Sequence, residues 1–303
     1  MKRFCALLRA FSLALSCLIF FLASSREWFG HIRFGTPLVH TDDHRALTRA
    51  SIDYLIRSGR ISRSSKVASF RSTIERYSGL LDIMESEVGG KVPGKLKWDF
   101  SHMYDPITKR GMNDKRFMNA MDEFCDFWGR SLVHLRIGNF EKAFLFLGFS
   151  CHLLEDMTVP AHTFCIPHGI RVRIADNFEL LSRPKKFYVR DHGDPGIGKK
   201  GTHIKLFISA GLESRGRDSL NPQDENEISI VLKRYYSPPK WSKGGWSGKY
   251  IGEPYYPYHR LLPSSPRIKL SDFITLRNYL EPIAIACTAQ LIEHFAMITN
   301  TYK

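Results

Sequence analysis

The sequence predicts an all-α domain over residues 26–303, preceded by a signal peptide over 1–25 and carrying a basic, loop-rich insertion over 183–269. Three observations support this prediction. Apolar residues recur at helical spacing in several separate stretches. Patterns in which apolar and polar residues alternate, as they do in half-buried strands, are scarce. Glycine, proline and aromatic residues are concentrated in one segment, and long irregular segments inside compact domains are often functional.

The N-terminus is typical of a secretory signal peptide. Lys2, Arg3 and Arg9 supply positive charge ahead of the apolar run 10–23, and small residues precede a predicted cleavage before Arg26. The run is shorter than the roughly 20 apolar residues that a membrane span needs. A cleaved signal is therefore favoured over an uncleaved anchor or a lipoprotein, and we expect an exported protein, periplasmic or secreted.

Periodic apolar residues predict the helices of the domain in order. These helices cover residues 41–58, 67–86, 114–137, 139–157, 174–182, 203–213, 224–235 and 271–299. Asp42 or Asp43 is suited to cap the first helix. The fourth helix ends near Pro160, and the last one carries a potential break at Pro282, since an internal proline removes a backbone hydrogen bond.

The formal net charge of +14 is unevenly distributed. Residues 183–269 contain 17 Lys/Arg against 8 Asp/Glu, so most of the basic excess lies in the insertion. Such a segment suits an anionic partner such as phospholipid headgroups, a membrane surface or nucleic acid; a solvated basic loop is the alternative.

Four cysteines remain after the predicted cleavage: Cys125, Cys151, Cys165 and Cys287. An exported protein is in a compartment that permits disulfides, and four cysteines allow three pairings. Their spacing is not that of a zinc finger. Disulfides and small buried thiols are both compatible with the sequence.

The stretch 148–163, GFSCHLLEDMTVPAHT, combines several types of metal ligand. His152 and Asp156 are four residues apart on a predicted helix, so their side chains share a face. A neutral imidazole and a carboxylate are ligands that zinc accepts. A proline then ends the helix, so that His162 can turn back towards the same cavity. Glu155 points about 100° away from Asp156 and is not expected to be a ligand.

Further ligand types occur elsewhere in the chain. His102 lies in the irregular segment SHMYDP, and His44 lies in the first turn of a predicted helix. Asp176 and Glu179 are three residues apart on a predicted helix and share a face, with His168 in the loop before them. Seven other histidines have no such neighbours and are expected on the surface or in the core: His31, His40, His134, His192, His203, His259 and His294.

Three of these stretches resemble motifs of the zinc-dependent phospholipase C family, which is related to the S1/P1 nucleases. AFLFLGFSCHLLEDMTVPAH resembles the central motif of that family, SHMYDP resembles its HFYDP motif, and HRALTRASIDYL resembles its first ligand helix. The motifs occur in the family order and span residues 28–182, about half of the chain. The resemblance implies a phospholipase C/P1 nuclease-like all-α domain with up to three zinc ions at the bottom of a cleft.

For the first ion, the resemblance implies His102, His152 and Asp156 as ligands. An acidic residue from the preceding segment would complete this set. That residue follows a glycine in the family pattern, which selects Glu85 here, with Asp82 as the alternative.

For the second ion, the resemblance implies Asp156 as a bridging ligand and His44 as a further one. In family members whose mature chain begins with tryptophan, the terminal amine and carbonyl complete this site, and Trp28 is the matching residue.

The third ion would be bound by His162 and by a histidine and a glutamate that the family places in an HxxxE element. Glu179 matches the glutamate, but the position four residues before it is an alanine. His168 is the preferred substitute for the missing histidine, and Asp176 is the alternative.

The function implied by the resemblance is phosphodiester hydrolysis by a zinc-activated water, with Glu85 as proton acceptor and Asp156 as the bridge. Phospholipase C-type cleavage of phospholipid headgroups is the favoured activity, because a basic, Trp/Tyr-rich insertion suits an anionic lipid interface. One alternative is an S1/P1-like single-strand nuclease, in which the aromatic residues stack on bases. The other is a catalytically inactive, metal-stabilised exported protein. No stable protein partner is implied.

Overall fold

A computed structural model describes residues 40–81, 102–112, 118–166, 196–242, 245–251 and 268–301. The predicted signal peptide and the helix predicted for 174–182 lie outside these ranges. Within them the chain forms nine helices and one antiparallel hairpin. The helices are α1 (His40–Arg57), α2 (Lys66–Ser69), α3 (Arg71–Ser78), α4 (Ala120–Arg136), α5 (Phe140–Asp156), α6 (Pro160–Thr163), α7 (Thr202–Ser214), α8 (Ile228–Tyr235) and α9 (Leu270–Thr301), and the strands are β1 (Tyr236–Ser242) and β2 (Gly245–Tyr250).

Helix α5 lies at the centre of the helical assembly. It packs against α1, α3, α4, α7 and α9. Every residue from 146 to 156 is buried, as expected for a helix that is apolar on all sides. The last turns of α5 nevertheless carry three polar side chains, so this buried helix end is where the fold positions chemical groups.

Helix α9 forms one long wall of the core. It packs against α1, α5 and α7 and continues through Pro282 without a break. The break considered for Pro282 is therefore wrong, because both sides of the proline are held by buried apolar contacts with neighbouring helices. Ser271–Thr299 is long and apolar enough to cross a membrane, but 83% of its most apolar window is buried inside the fold, as in a core helix.

The helix predicted for 67–86 is interrupted. Its described part forms α2 and α3, which are separated at Phe70, where φ is −99° and ψ is 16°. Ser65 caps α2 by accepting a hydrogen bond from the amide of Ala68. The ring of Phe70 stacks on Phe144 of α5, with centroids 4.7 Å apart, so packing against the central helix accompanies the interruption.

The other described helices agree with the sequence to within a few residues. Helix α4 begins at Ala120 rather than 114, because Asn119 and Asp122 form a capping box there. Helix α8 begins four residues later than predicted, at Ile228. The four cysteines after the predicted cleavage site are all free, so the structure contains thiols and no disulfide among them.

The hairpin β1–β2 lies inside the predicted insertion, which the sequence indicated to be loop-rich. The strands pair in antiparallel register from Tyr236↔Tyr250 to Ser242↔Gly245, with an irregularity between Ser237 and Lys240. Two prolines fall in this irregularity, and prolines have no amide proton to donate to a strand ladder.

Candidate metal centre

Four histidines meet one carboxylate beside the end of α5. His152 and Asp156 project from α5, His44 from α1 and His162 from α6, while His102 begins the loop 102–112. All five residues are at most 6% exposed. Their ligand atoms form two groups, each within 4.8 Å: His44 with His152 and Asp156, and His102 with Asp156 and His162. The structure therefore brings together five of the residues that the sequence singled out.

The two carboxylate oxygens of Asp156 face different histidines. Oδ1 is 3.3 Å from Nε2 of His44. Oδ2 is 2.6 Å from Nδ1 of His102 and 3.3 Å from Nε2 of His152. Asp156 thus belongs to both groups and has the position that a bridging ligand requires.

Three of the distances equal the spacing expected for ligands of one zinc ion, whereas His102 Nδ1 and Asp156 Oδ2, 2.6 Å apart, are at hydrogen-bond distance. Two ligands of a tetrahedral zinc ion, with bonds of about 2.0–2.1 Å, lie roughly 3.3 Å apart. Nε2 of His152 is 3.3 Å from both Asp156 Oδ2 and His102 Nδ1, and the His44–Asp156 distance is the same. Buried imidazoles and a carboxylate fit zinc, and this part of the chain can hold a metal ion.

Hydrogen bonds fix the orientation of three of the imidazole rings. Nδ1 of His152 donates to the carbonyl of Ser78 at 2.7 Å, and Nδ1 of His162 donates to the carbonyl of His102 at 2.8 Å. Nδ1 of His44 lies 2.8 Å from Oε2 of Glu155. A neutral ring that donates from Nδ1 carries its lone pair on Nε2, which is the atom a metal binds.

His162 is grouped with His102 and Asp156, whereas the family resemblance assigns it to a separate ion. Its Nδ1 is 3.8 Å from Asp156 Oδ2. Since the same Nδ1 donates to a backbone carbonyl, Nε2 would be the ligand atom if His162 binds an ion. The assignment of His162 to a third ion thus stays a prediction.

Glu155 is the functional residue that helical geometry alone did not find. It is 1% exposed and lies outside both metal groups, as its direction on the helix predicted. Its Oε2 meets His44, while Oε1 accepts hydrogen bonds from Thr48 at 2.8 Å and Thr288 at 3.3 Å. Glu155 therefore orients the His44 ring by contacting Nδ1, the nitrogen that does not face Asp156. The available signal was an acidic residue within a run of buried apolar positions.

The carboxylates and imidazoles of the cluster shift one another's pKa values towards the charged forms. Burial alone would raise the pKa of Asp156, but the nearby His152, His162 and His102 hold that pKa well below its usual range. Burial alone would lower the pKa of His44, but its contacts with Asp156 and Glu155 raise that pKa well above its usual value. The buried carboxylate is therefore ionised, as a metal ligand must be, whereas His44 would have to release a proton in order to bind an ion.

A glycine allows α3 to approach α5 closely enough to support His152. A Cβ atom at Gly148 would lie 2.8 Å from the carbonyl oxygen of Ile74 and 3.1 Å from the amide nitrogen of Ser78. Gly148 is one turn before His152 on the same face of the helix. Gly148 therefore serves helix packing, and this packing places the Ser78 carbonyl beside the ring of His152.

A buried arginine from the insertion connects the loop 102–112, which carries His102, to helix α6, which carries His162. Arg215 lies 3.1 Å from Asp105 Oδ1 and donates to the carbonyl of Thr163 at 2.8 Å. The amide of Tyr104 also donates to the carbonyl of His162. Sequence patterns do not indicate this role, because Arg215 is far from the motifs along the chain.

Four predicted ligands and their two alternatives lie outside the described residues. The ligands are Trp28, Glu85, His168 and Glu179, and the alternatives are Asp82 and Asp176. Among the histidines expected to be structural, His134, His203 and His294 stack against aromatic rings and belong to neither metal group.

Comparisons with known proteins support the fold. No family model and no curated protein matches the sequence. The structure is similar to the alpha toxin of Clostridium absonum and to the alpha-toxin of an avian strain of Clostridium perfringens, each with a TM-score of 0.53 and 10% identity over 88% of this chain. The chain covers slightly less than two thirds of those toxin chains, 65% and 66%. At this identity the likeness shows the fold alone, and it confirms the all-α fold class.

Proposed function

We propose that this chain is a zinc-dependent phosphodiester hydrolase of the phospholipase C type, which cleaves phospholipid headgroups. The observation that carries the proposal is the arrangement of four buried histidines around the two oxygens of Asp156. A carboxylate shared between two groups of histidines suits a pair of neighbouring ions, and paired metal sites are typical of enzymes that hydrolyse phosphoesters.

The roles of the residues follow the family resemblance. His44, His102, His152 and Asp156 would hold the close pair of ions, with Trp28 and Glu85 completing it. His162, His168 and Glu179 would hold the third. An ion held by these residues would lower the pKa of a coordinated water towards neutrality and would offset charge on the phosphate. Glu85 is proposed to accept the proton from that water, with Asp82 as the alternative.

Lipid is favoured over nucleic acid as the substrate because of the composition of the insertion. A basic segment rich in tryptophan and tyrosine suits the surface of an anionic membrane. The fold likeness to two toxins is compatible with this activity, and the N-terminal sequence supports export to the periplasm or the medium.

The decisive experiment combines metal analysis with substrate comparison. The purified protein should contain zinc and should hydrolyse phosphatidylcholine but not single-stranded DNA or RNA, and a chelator should abolish the activity. Cleavage of nucleic acid alone would support the nuclease alternative. A protein that retains zinc without hydrolysing either substrate would support the metal-stabilised, inactive alternative.

Asp156→Asn tests the bridging role. Because Asp156 belongs to both groups of ligands, the variant should lose zinc and activity together. Glu213→Gln is a matched control, since Glu213 is also a buried carboxylate, 5% exposed, but contacts Tyr279 and Asn226 rather than the metal centre. Normal zinc content and turnover in Asp156→Asn would refute the assignment.

A further inference from the structure

We infer that His294 forms, with Trp128 and His203, a pH-sensitive latch that holds the turn 196–201 against α9 while its ring is neutral and releases the turn when the ring takes up a proton. The latch consists of these three side chains and the amide of Gly198. The inference goes beyond the proposed function and does not depend on it, because none of these residues belongs to the two groups of metal ligands.

The hydrogen bond between the turn and His294 requires a neutral ring. The amide of Gly198 donates to Nδ1 of His294 at 3.0 Å. A backbone amide can only donate, so Nδ1 is the acceptor and carries no proton. A protonated imidazole is a donor at both nitrogens. Protonation of His294 therefore replaces the acceptor with a second donor and breaks the contact with Gly198.

The ring of His294 belongs to a buried group of three nearly parallel rings. The centroid of Trp128, on α4, is 5.5 Å from that of His294 and 5.0 Å from that of His203, on α7. The two imidazole centroids are 6.5 Å apart, so a charge on one ring disfavours a charge on the other. Nδ1 of His203 is buried and has no hydrogen-bond partner among the described residues. A proton added at that nitrogen would therefore find no acceptor.

No carboxylate among the described residues lies within ion-pair distance of either imidazole of the latch. On α9, the adjacent Glu293 pairs with Arg60 at 3.2 Å. On α4, Asp126 pairs with Arg130 at 2.8 Å. The charged side chains of the turn and of the start of α7 are exposed lysines: Lys199, Lys200 and Lys205. The surroundings therefore provide no negative charge that would stabilise a protonated ring in the closed latch.

Burial sets the pH range in which the latch opens. Burial lowers the pKa of His294, and burial together with the charge of His294 lowers the pKa of His203 to about 4. Both rings are therefore neutral near pH 7. A ring released from the latch regains the usual pKa of about 6.5. The closed latch is consequently fully stable above about pH 6.5 and loses stability as the pH falls below that value.

The latch anchors the first turn of α7, and the other end of this helix supports the metal centre. Oγ1 of Thr202, the first residue of α7, donates to the carbonyl of Gly196 at 2.6 Å, which joins the turn to the helix. At the other end, Oγ of Ser214 donates to the carbonyl of Met157, directly after α5. Opening the latch would therefore free the start of α7 while its end stays attached through contacts that involve no histidine.

Hydrogen exchange measured by mass spectrometry tests the latch on the full chain, with each rate compared with the intrinsic rate at the same pH. A proton taken up on opening raises the opening constant by up to about tenfold per pH unit. Protection of the peptide 196–206 should therefore fall by about tenfold between pH 7.5 and pH 5.5. Peptides from the buried part of α5 should keep their protection, because the opening is local. His294→Asn should remove most of the fall, since the amide oxygen of asparagine accepts a hydrogen bond but does not titrate.

His134→Asn is the matched control. His134 also stacks on an aromatic ring and has a buried Nδ1 without a partner among the described residues, but its ring lies against Phe146 rather than Trp128. This variant should keep the full pH response. Unchanged protection of native 196–206 between pH 7.5 and pH 5.5 would overturn the inference, as would an equal fall in His294→Asn.

Nuclear magnetic resonance of the native chain gives a test that does not depend on the folding of a variant. The amide resonance of Gly198 should shift as His294 takes up a proton, because its hydrogen bond is lost. The midpoint pH of this shift should equal that of the loss of protection. A Gly198 resonance that stays fixed while protection falls would also overturn the inference.

Discussion

Replacing Gly148 with alanine should weaken metal binding without touching a ligand. The added Cβ would lie 2.8 Å from the carbonyl oxygen of Ile74, whereas ordinary contact begins near 3.4 Å. Helix α3 must therefore retreat by about 0.6 Å, because the opposing atom belongs to the backbone and cannot rotate away. The hydrogen bond from His152 to the Ser78 carbonyl, 2.7 Å in the structure, would lengthen to about 3.3 Å, the outer limit for such a bond.

Two opposing terms set the change in stability of Gly148→Ala. Overpacking a core costs typically 1–3 kcal/mol, and replacing glycine by alanine within a helix recovers about 1 kcal/mol. The free energy of unfolding should thus fall by roughly 0–2 kcal/mol. Zinc affinity should fall by about 10–100-fold, the usual effect of losing a hydrogen-bond partner of a metal-binding histidine.

Competition titration with a zinc chelator, together with thermal unfolding, measures both quantities for Gly148→Ala. Gly129→Ala is the matched control: Gly129 is also inside a helix, but a Cβ there meets nothing within 4 Å. The control should keep zinc affinity and gain stability. If Gly148→Ala bound zinc as tightly as the native protein, the link from helix packing to the metal centre would be refuted.

Two further predictions concern ionisable groups, the buried Glu155 and the half-buried His203. Glu155→Gln leaves His44 a hydrogen-bond acceptor but removes the negative charge, so zinc affinity in a chelator titration should fall about tenfold. The control Glu213→Gln should not change zinc affinity. Equal losses in both variants would contradict the role of Glu155. Burial, assisted by nearby His294, lowers the pKa of His203 to about 4, so the folded protein keeps this ring neutral while the unfolded chain binds a proton below about pH 6.5. The part of the free energy of unfolding that depends on a neutral His203 is therefore fully present above about pH 6.5. It is lost as the pH falls towards about 4. Urea denaturation across this range should show a shallower decline for His203→Gln, and an unchanged decline would exclude His203 as the cause.

The central helix was predictable because its pattern depends on residues that are close together in the chain. The spacing of His152 and Asp156 within one helix follows directly from helical geometry, and the apolar periodicity of residues 139–157 predicted the helix that carries them. His44 and His102 could be linked to that helix only through the family resemblance. Periodicity places residues on a face of one element, but it does not say which elements meet.

The residues that sequence reasoning missed act over long separations in the chain. Glu155 meets His44 across 111 positions, and Arg215 meets Thr163 across 52. The direction of Glu155 on its helix was predicted correctly, but the neighbour in that direction was unknown. The hairpin was similarly hidden, because its prolines and glycines are typical of loops, while its register depends on contacts with Phe164 and Met112.

The ring of His44 is held at both ends by consecutive residues of one helix. Glu155 contacts Nδ1 and Asp156 faces Nε2. Successive residues of a helix point about 100° apart and rise about 1.5 Å. A slip of α1 along α5 by a single residue would therefore break both contacts at once, and a rotation of α5 would bring one carboxylate nearer only by withdrawing the other. His44 thus sets the register of the two helices relative to each other.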